Sequence, residues 1–336
     1  MASHAYSQEK SMTIEGYPPD LPVEIAGSAW FLFLDGRIDA DTPQRFERYL
    51  DQKNVPPRSH VIINSPGGNL FAGMELGRLF RKNQLSIDIG RKSLTSKKRF
   101  DTEVGGCFSS CAIAYLGGEY RYLKVGSRYG VHRFSFAKQS SADADVAQVA
   151  SAEITTYIRS MDVDVELFKL SAGAASSDIN EPDRATLERL NVVNNGVSRP
   201  VWTIESALGK LYLKGERSSA LSGINKFIIL CDGSSPLLYT IFDPVGRDQE
   251  VMAMTAHSLM IDGKAYPVKA ISTEMKNGLF NSIYKLSNRD IGALRSANHV
   301  GLAVRFTYEA PVFLGFDGMP ISGGRDKLLG VLSSCK

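Results

Sequence analysis

The chain has 336 residues, 43% of them hydrophobic and 22% charged, with a formal net charge of +3. This is ordinary globular composition with room for two domains, and so small a positive excess argues against nucleic acid as the main partner. No apolar run approaches the roughly 20 residues of a membrane-spanning helix, so a soluble chain is expected.

The opening segment, MASHAYSQEKSMTIEGYPPD, is polar and broken by Tyr17-Pro18-Pro19, and it reads as a flexible arm over residues 1–21 with order beginning near Pro22. It has no charged segment followed by an apolar stretch, so it does not read as a secretory signal and a cytoplasmic location is expected. A trimmed mature chain would look the same, which leaves the periplasm as the alternative. Next come a strand-like run AWFLFL (29–34), a helix candidate TPQRFERYLDQ (42–52) and the apolar run HVII (60–63). This alternation argues for βαβ units. The stretch LFAGMELGRLFRK (70–82) places Leu70, Gly73, Met74, Leu76, Gly77 and Phe80 on one arc at 100° per residue, with Glu75, Arg78 and Lys82 opposite. The five residues NSPGG (64–68) therefore lie between a strand and an amphipathic helix. SIDIG (86–90) is a further strand candidate. The basic residues Arg91, Lys92, Lys97, Lys98 and Arg99 after it read as a solvated loop, or else as a gate for an acidic partner or substrate.

Two adjacent glycines at a strand-to-helix turn either allow a bend that other residues cannot make or bring bare backbone N–H groups up to a ligand. A second glycine-marked stretch, GGCFSSCAIAYLGG (105–118), bears on the choice. Ser110 precedes a nearly all-apolar helix pattern, which is the mark of a buried helix. A hydroxyl there sits beside unpaired N–H groups and the positive end of the helix dipole. Taken alone, Ser109-Ser110 also reads as an N-cap pair.

SPGGN before a helix, then G-x3-S-S-C-A, then RYLKVGSRYGVHRF, together resemble the proteolytic subunit of the Clp protease and its relatives over about residues 23–195. The resemblance implies an α/β fold of the crotonase type, a ββα spiral domain over 22–197. It carries the family's nucleophile onto Ser110 and its catalytic histidine onto His132, 22 positions later. It carries the oxyanion donors onto the backbone N–H groups of Gly68 and Cys111, with Gly67 supporting the turn. Of the remaining histidines, His4 is in the arm, His60 precedes the glycine turn, and His257 and His299 lie far downstream. The third triad member is where the sequence departs from the family, because SSDINEPDRATLERLNVVN (176–194) is shorter than its counterpart. Asp178 is the first choice. Asp183 is the second, since it reads better as the N-cap of a helix over 184–190 with Thr186 at the third position. If neither carboxylate reaches His132, a backbone carbonyl or a water must orient the ring.

After VVNNGVSRP (192–200) the character changes to short β-rich runs separated by Gly, Asp and Ser, and we expect a smaller, mostly antiparallel β domain over 198–336 that binds substrate or a partner. The four cysteines, Cys107, Cys111, Cys231 and Cys335, suit two disulfides or four thiols. Cys107 and Cys111 have metal-pair spacing but no second close Cys/His pair, so no metal is expected. A Cys231–Cys335 bridge would tie the last strand of the β domain in an oxidising compartment. No cofactor is expected.

The function implied by the resemblance is serine hydrolysis, most naturally of a peptide or unfolded polypeptide, in a chain that forms homo-oligomers. No G-x4-G-K-[ST] loop occurs, so ATP-driven unfolding would need a separate partner. A catalytically weak or inactive crotonase-type scaffold is the alternative. An acyl-CoA thioester enzyme would share the oxyanion geometry but normally lacks the Ser–His pair.

Overall fold

The computed structural model describes residues 10–20, 29–96, 99–133, 143–175, 178–207 and 209–335. The chain divides into two compact units between Gly196 and Val197.

In the first unit, runs such as FLFL and VII form the parallel heart of a five-stranded sheet, as strands buried on both faces should. Its strands are β1 (Thr13–Tyr17), β2 (Phe31–Asp35), β3 (His60–Asn64), β4 (Ser86–Ile89) and β8 (Arg121–Tyr122), in that order. β1 is antiparallel to β2, and β2, β3, β4 and β8 run parallel. The helices α1 (Thr42–Lys53) and α2 (Leu70–Lys82) follow β2 and β3, the first over the helix candidate 42–52 and the second where the periodicity predicts it. Their apolar arcs supply Phe46, Leu50, Leu76 and Phe80 to one core with Leu32, Leu34, Val61, Ile63, Ile87 and Ile89. Phe46 and Phe80 meet edge to face at 5.3 Å.

The flexible arm expected through residue 21 is corrected by β1. Residues 1–9 and 21–28 lie outside the described residues, but Thr13 to Tyr17 pair with β2 in unbroken register. Gly16 explains how a polar segment is accepted, since a Cβ there would lie 2.6 Å from Leu32 Cδ2. An edge strand has one half-buried face, so its composition gives little warning.

The basic stretch is likewise more engaged than a solvated loop. Arg91 and Lys92 form β5, paired with β6 (Thr102–Glu103). Lys92 Nζ lies 3.1 Å from Glu15 and over the Tyr17 ring, and Arg91 pairs with Glu103 at 3.3 Å. Lys97 and Lys98 lie outside the described residues.

A two-stranded parallel sheet, β7 (Gly106–Phe108) and β9 (Arg128–Gly130), stands beside the main sheet, and β7 leads into the short buried helix α3 (Ser110–Tyr115). Close approach of α2 and α3 requires glycine. A Cβ on Gly73 would lie 2.5 Å from Ser110 O, and one on Gly117 would lie 2.0 Å from Gly77 O. The helices α4 (Asp143–Ser160), α5 (Glu166–Gly173) and α6 (Arg184–Arg189) complete the unit.

The second unit is antiparallel throughout. β10 (Val201–Ala207), β11 (Lys210–Ser219), β12 (Gly223–Asp232), β13 (Ser235–Phe242), β17 (Leu279–Lys285) and β16 (Ala270–Lys276) form one sheet in that order. A second sheet holds β15 (Lys264–Val268), β14 (Ala256–Ile261), β18 (His299–Arg305) and β19 (Leu314–Pro320). One hydrophobic cluster joins both sheets, with Trp202, Phe227 and Phe242 from the first and Leu259, Leu302 and Phe316 from the second. Three helices also feed it: α7 (Asp248–Ala253), α8 (Asn288–Ser296) and α9 (Arg325–Ser334).

The last element, expected as a strand, is the helix α9, which contains the run LLGVL (328–332). Leu328, Val331 and Leu332 are the buried positions, a helical i, i+3, i+4 spacing. Cys335 bonds Cys231 at the end of this helix, so the bridge ties a helix, not a strand, to β12.

Candidate active site

The NSPGG turn is built for close approach. Gly67 and Gly68 have φ of 103° and 146°. The Ile38 N–H donates to Gly67 O at 2.8 Å, and Asn69 N–H returns the bond to Ile38 O at 2.8 Å. A Cβ on Gly68 would stand 2.1 Å from Ile38 O, and one on Gly67 would stand 2.7 Å from Ser109 Cβ and 3.1 Å from Ser110 N. Both glycines are therefore sterically required, and the turn lies directly against Ser109-Ser110. Ser65 Oγ accepts the Gly67 N–H at 3.1 Å, whereas the Gly68 N–H finds no acceptor among the described residues. The Cys111 N–H belongs to the first turn of α3, where no carbonyl four residues back is available.

Ser110 is 2% exposed, and its Oγ has no hydrogen-bond partner among the described residues. Ser109, the residue before it, holds φ 58° and ψ −124°, a conformation strained for a residue with a Cβ, and its side chain makes no cap bond. The N-cap reading of the serine pair is thus not what the structure realises.

The parallel pairing of β7 with β9 aligns Phe108 with Gly130, so Ser110 and His132 each follow two residues beyond the same pair. The Ser109 N–H donates to Gly130 O at 3.1 Å and links the two strands at that point. His132 is half-buried, and its carbonyl accepts from Ser171 Oγ at 2.7 Å. Its Nδ1 lies 2.8 Å from Arg133 O. A carbonyl can only accept, so in the neutral ring the proton sits on Nδ1 and Nε2 carries the free lone pair. No hydrogen bond joins His132 to Ser110.

Neither candidate carboxylate is joined to His132. Asp178 is exposed and lies two residues before Asn180, whose backbone bridges Val131 in both directions at 2.9 Å. Asp183 is the N-cap of α6 and accepts the Thr186 N–H at 2.7 Å, and this bond holds its carboxyl below the usual range. The N-cap expectation for Asp183 thus holds. The ring of His132 is oriented by a backbone carbonyl. Among the described residues, no group of three or more His, Cys, Asp or Glu side chains could hold a metal ion.

Several supports of the site have a role that the motifs do not disclose. Tyr129 and Tyr157 donate their hydroxyls to the α3 carbonyls Ala112 O and Ile113 O at 3.3 and 2.9 Å, and burial raises both phenol pKa values. Arg128 donates to Glu181 through Nε and Nη2 and lies over the Phe108 ring. Arg121 is 1% exposed and reaches carbonyls at the end of α3 and at residues 191–192; burial lowers its pKa to about 10. Cys107 and Cys111 are joined by a disulfide around the serine turn. Spacing could have suggested only the last of these.

No family model matches the chain, and no curated protein matches it either.

Proposed function

We propose that the chain is a serine hydrolase that cleaves peptide bonds in a peptide or unfolded polypeptide. Ser110 is the nucleophile, His132 the general base, and the backbone N–H groups of Gly68 and Cys111 the oxyanion donors. The observation that carries this reading is the β7–β9 register, which sends a serine and a histidine off the same residue pair beside a turn with an unused N–H. The Nδ1–H tautomer of His132 leaves Nε2 to take the Ser110 proton as Oγ attacks the substrate carbonyl. Bonds of this kind are often open before substrate binds, and here Oγ must approach Nε2 to about 3 Å. Each oxyanion donor is worth about 2.7–4 kcal/mol in the transition state. Among the described residues no carboxylate bonds His132, which favours slower turnover than a full triad gives.

The unpartnered Ser110 hydroxyl also suits a second reading, a crotonase-type scaffold that binds without catalysis. A fluorophosphonate probe separates the two: we expect one adduct, mapped to the peptide containing Ser110, and an unlabelled folded protein would establish the scaffold. Small or unfolded substrates should be cut without ATP, and strict ATP dependence of the purified chain would contradict the proposal.

The second unit is proposed to hold substrate or a partner and to carry no catalytic group. A chain ending near residue 198 should keep labelling at Ser110 while losing affinity for its natural substrate. Soluble, folded, unlabelled truncated protein would refute an accessory role. The two disulfides favour an oxidising compartment, and hence the periplasmic alternative over the cytoplasmic one.

A further inference from the structure

We infer that the Cys107–Cys111 disulfide is a positioning element for Ser110, a covalent clip that holds the serine turn in its strained form; this rests on the hydrolase reading above. The two cysteines are four residues apart and enclose Phe108, Ser109 and Ser110. Cys107 is fixed on the NSPGG side, because it bridges Ser65, with Ser65 N–H donating to Gly106 O at 2.8 Å and Phe108 N–H to Ser65 O at 3.0 Å. Cys111 is the second residue of α3 and offers one of the proposed oxyanion N–H groups. The cross-link therefore joins β7, which pairs through Ser65 with the turn that carries Gly68, to the helix start that carries Cys111.

The segment inside the clip needs holding. Ser109 sits at φ 58° and ψ −124°, which persists only where the surroundings over-determine it, and its own side chain supplies no cap bond. Gly67 and Gly73 restrict Ser109-Ser110 from two sides, and the Ser109 N–H bond to Gly130 O restricts a third. None of these fixes the distance from β7 to the helix start along the chain, and the disulfide does. Both sulfurs belong to residues with 0% exposure, so the pair is placed for structure and not for exchange with thiols in solvent. A cross-link four residues long removes far less freedom from the unfolded chain than the Cys231–Cys335 bridge, which spans 104 positions. Its contribution is therefore local.

The test uses the full chain with Cys107→Ala and Cys111→Ala together, and Cys231→Ala with Cys335→Ala as the control pair. The probe-labelling rate and kcat should fall about a hundredfold with KM nearly unchanged, as expected for a reacting atom displaced by about 1 Å. Amide exchange at residues 109–112 should quicken while β2 and β3 keep their protection. The control pair should label at the wild-type rate. Wild-type labelling together with wild-type exchange at 109–112 would overturn the inference. So would loss of protection across β2 and β3 in both this variant and the Cys107→Ser, Cys111→Ser pair, since the bridge would then support the whole fold. If the wild-type protein takes no probe, the hydrolase reading falls, while the exchange data still decide whether the clip holds the turn.

Discussion

Alanine at position 110 is expected to abolish fluorophosphonate labelling and to lower peptide turnover by about 10⁶, the loss typical when the nucleophile of a serine hydrolase is deleted. A residue of activity over the uncatalysed rate should survive, because the oxyanion donors are backbone groups that the substitution leaves in place. Stability should move the other way. Ser110 Oγ is buried with no partner among the described residues, so its removal deserts none of them and relieves a desolvated hydroxyl, which costs on the order of 1–3 kcal/mol when unsatisfied. The vacated space is small, because Gly73 already lies against Ser110 Cβ. The variant should therefore melt at or slightly above the wild-type temperature while being inert. A structural serine would behave in the opposite way, with lower thermal stability and unchanged labelling at another residue. Calorimetry and gel labelling on the same sample distinguish the two, and persistent labelling of the alanine variant would dismiss Ser110 as nucleophile.

What the sequence made legible was whatever repeats with a local period. α1, α2 and the buried strands β2, β3 and β4 follow from apolar spacing, and the N-cap of α6 follows from Asp183 and Thr186. The glycine turn was legible as a turn, and its steric need appears only once Ile38 and Ser109 are seen against it. β1 was missed because an edge strand shares its burial between solvent and sheet, and its residues read as polar loop. The last element was expected as a strand and is a helix, because a five-residue apolar run such as LLGVL fits a buried helix as well as a strand. The orienter of His132 was sought among carboxylates, yet the ring bonds a carbonyl one residue away, and that depends on the backbone path after β9. Arg121 stands in the run RYLKVGSRYGVHRF, yet its role gave no signal, since its partners are carbonyls as far as 71 positions away and carbonyls have no sequence.

Replacing that arginine by methionine is expected to cost the first unit about 3–5 kcal/mol, because buried carbonyls left without their donor cost about 1–3 kcal/mol each. The guanidinium is 1% exposed and donates to Val192 O at 2.9 Å, Asn191 O at 2.7 Å, Leu116 O at 3.1 Å and Gly118 O at 2.7 Å. The last two follow α3, where the helix leaves its carbonyls without intrahelical donors and its dipole is negative. Arg81 reaches the same place, donating to Leu116 O, Gly117 O and Gly118 O, so two cations close the end of the helix whose first turn carries Ser110. Burial lowers the Arg121 pKa only to about 10, so the group stays charged at neutral pH and its hydrogen bonds are charge-assisted. Methionine fills similar volume but satisfies none of the four carbonyls. Lysine should recover part of the loss, since it keeps the charge but cannot spread donors over four acceptors. Against a total stability of about 5–15 kcal/mol, the methionine variant should be close to unfolding at 37 °C in the first unit alone. The two tryptophans make this measurable, because Trp30 lies in the first unit and Trp202 in the core of the second. In single-tryptophan backgrounds, the urea midpoint reported by Trp30 should fall sharply while that reported by Trp202 holds. An unchanged Trp30 midpoint would mean that the carbonyls find other donors and that Arg121 does not support the serine helix.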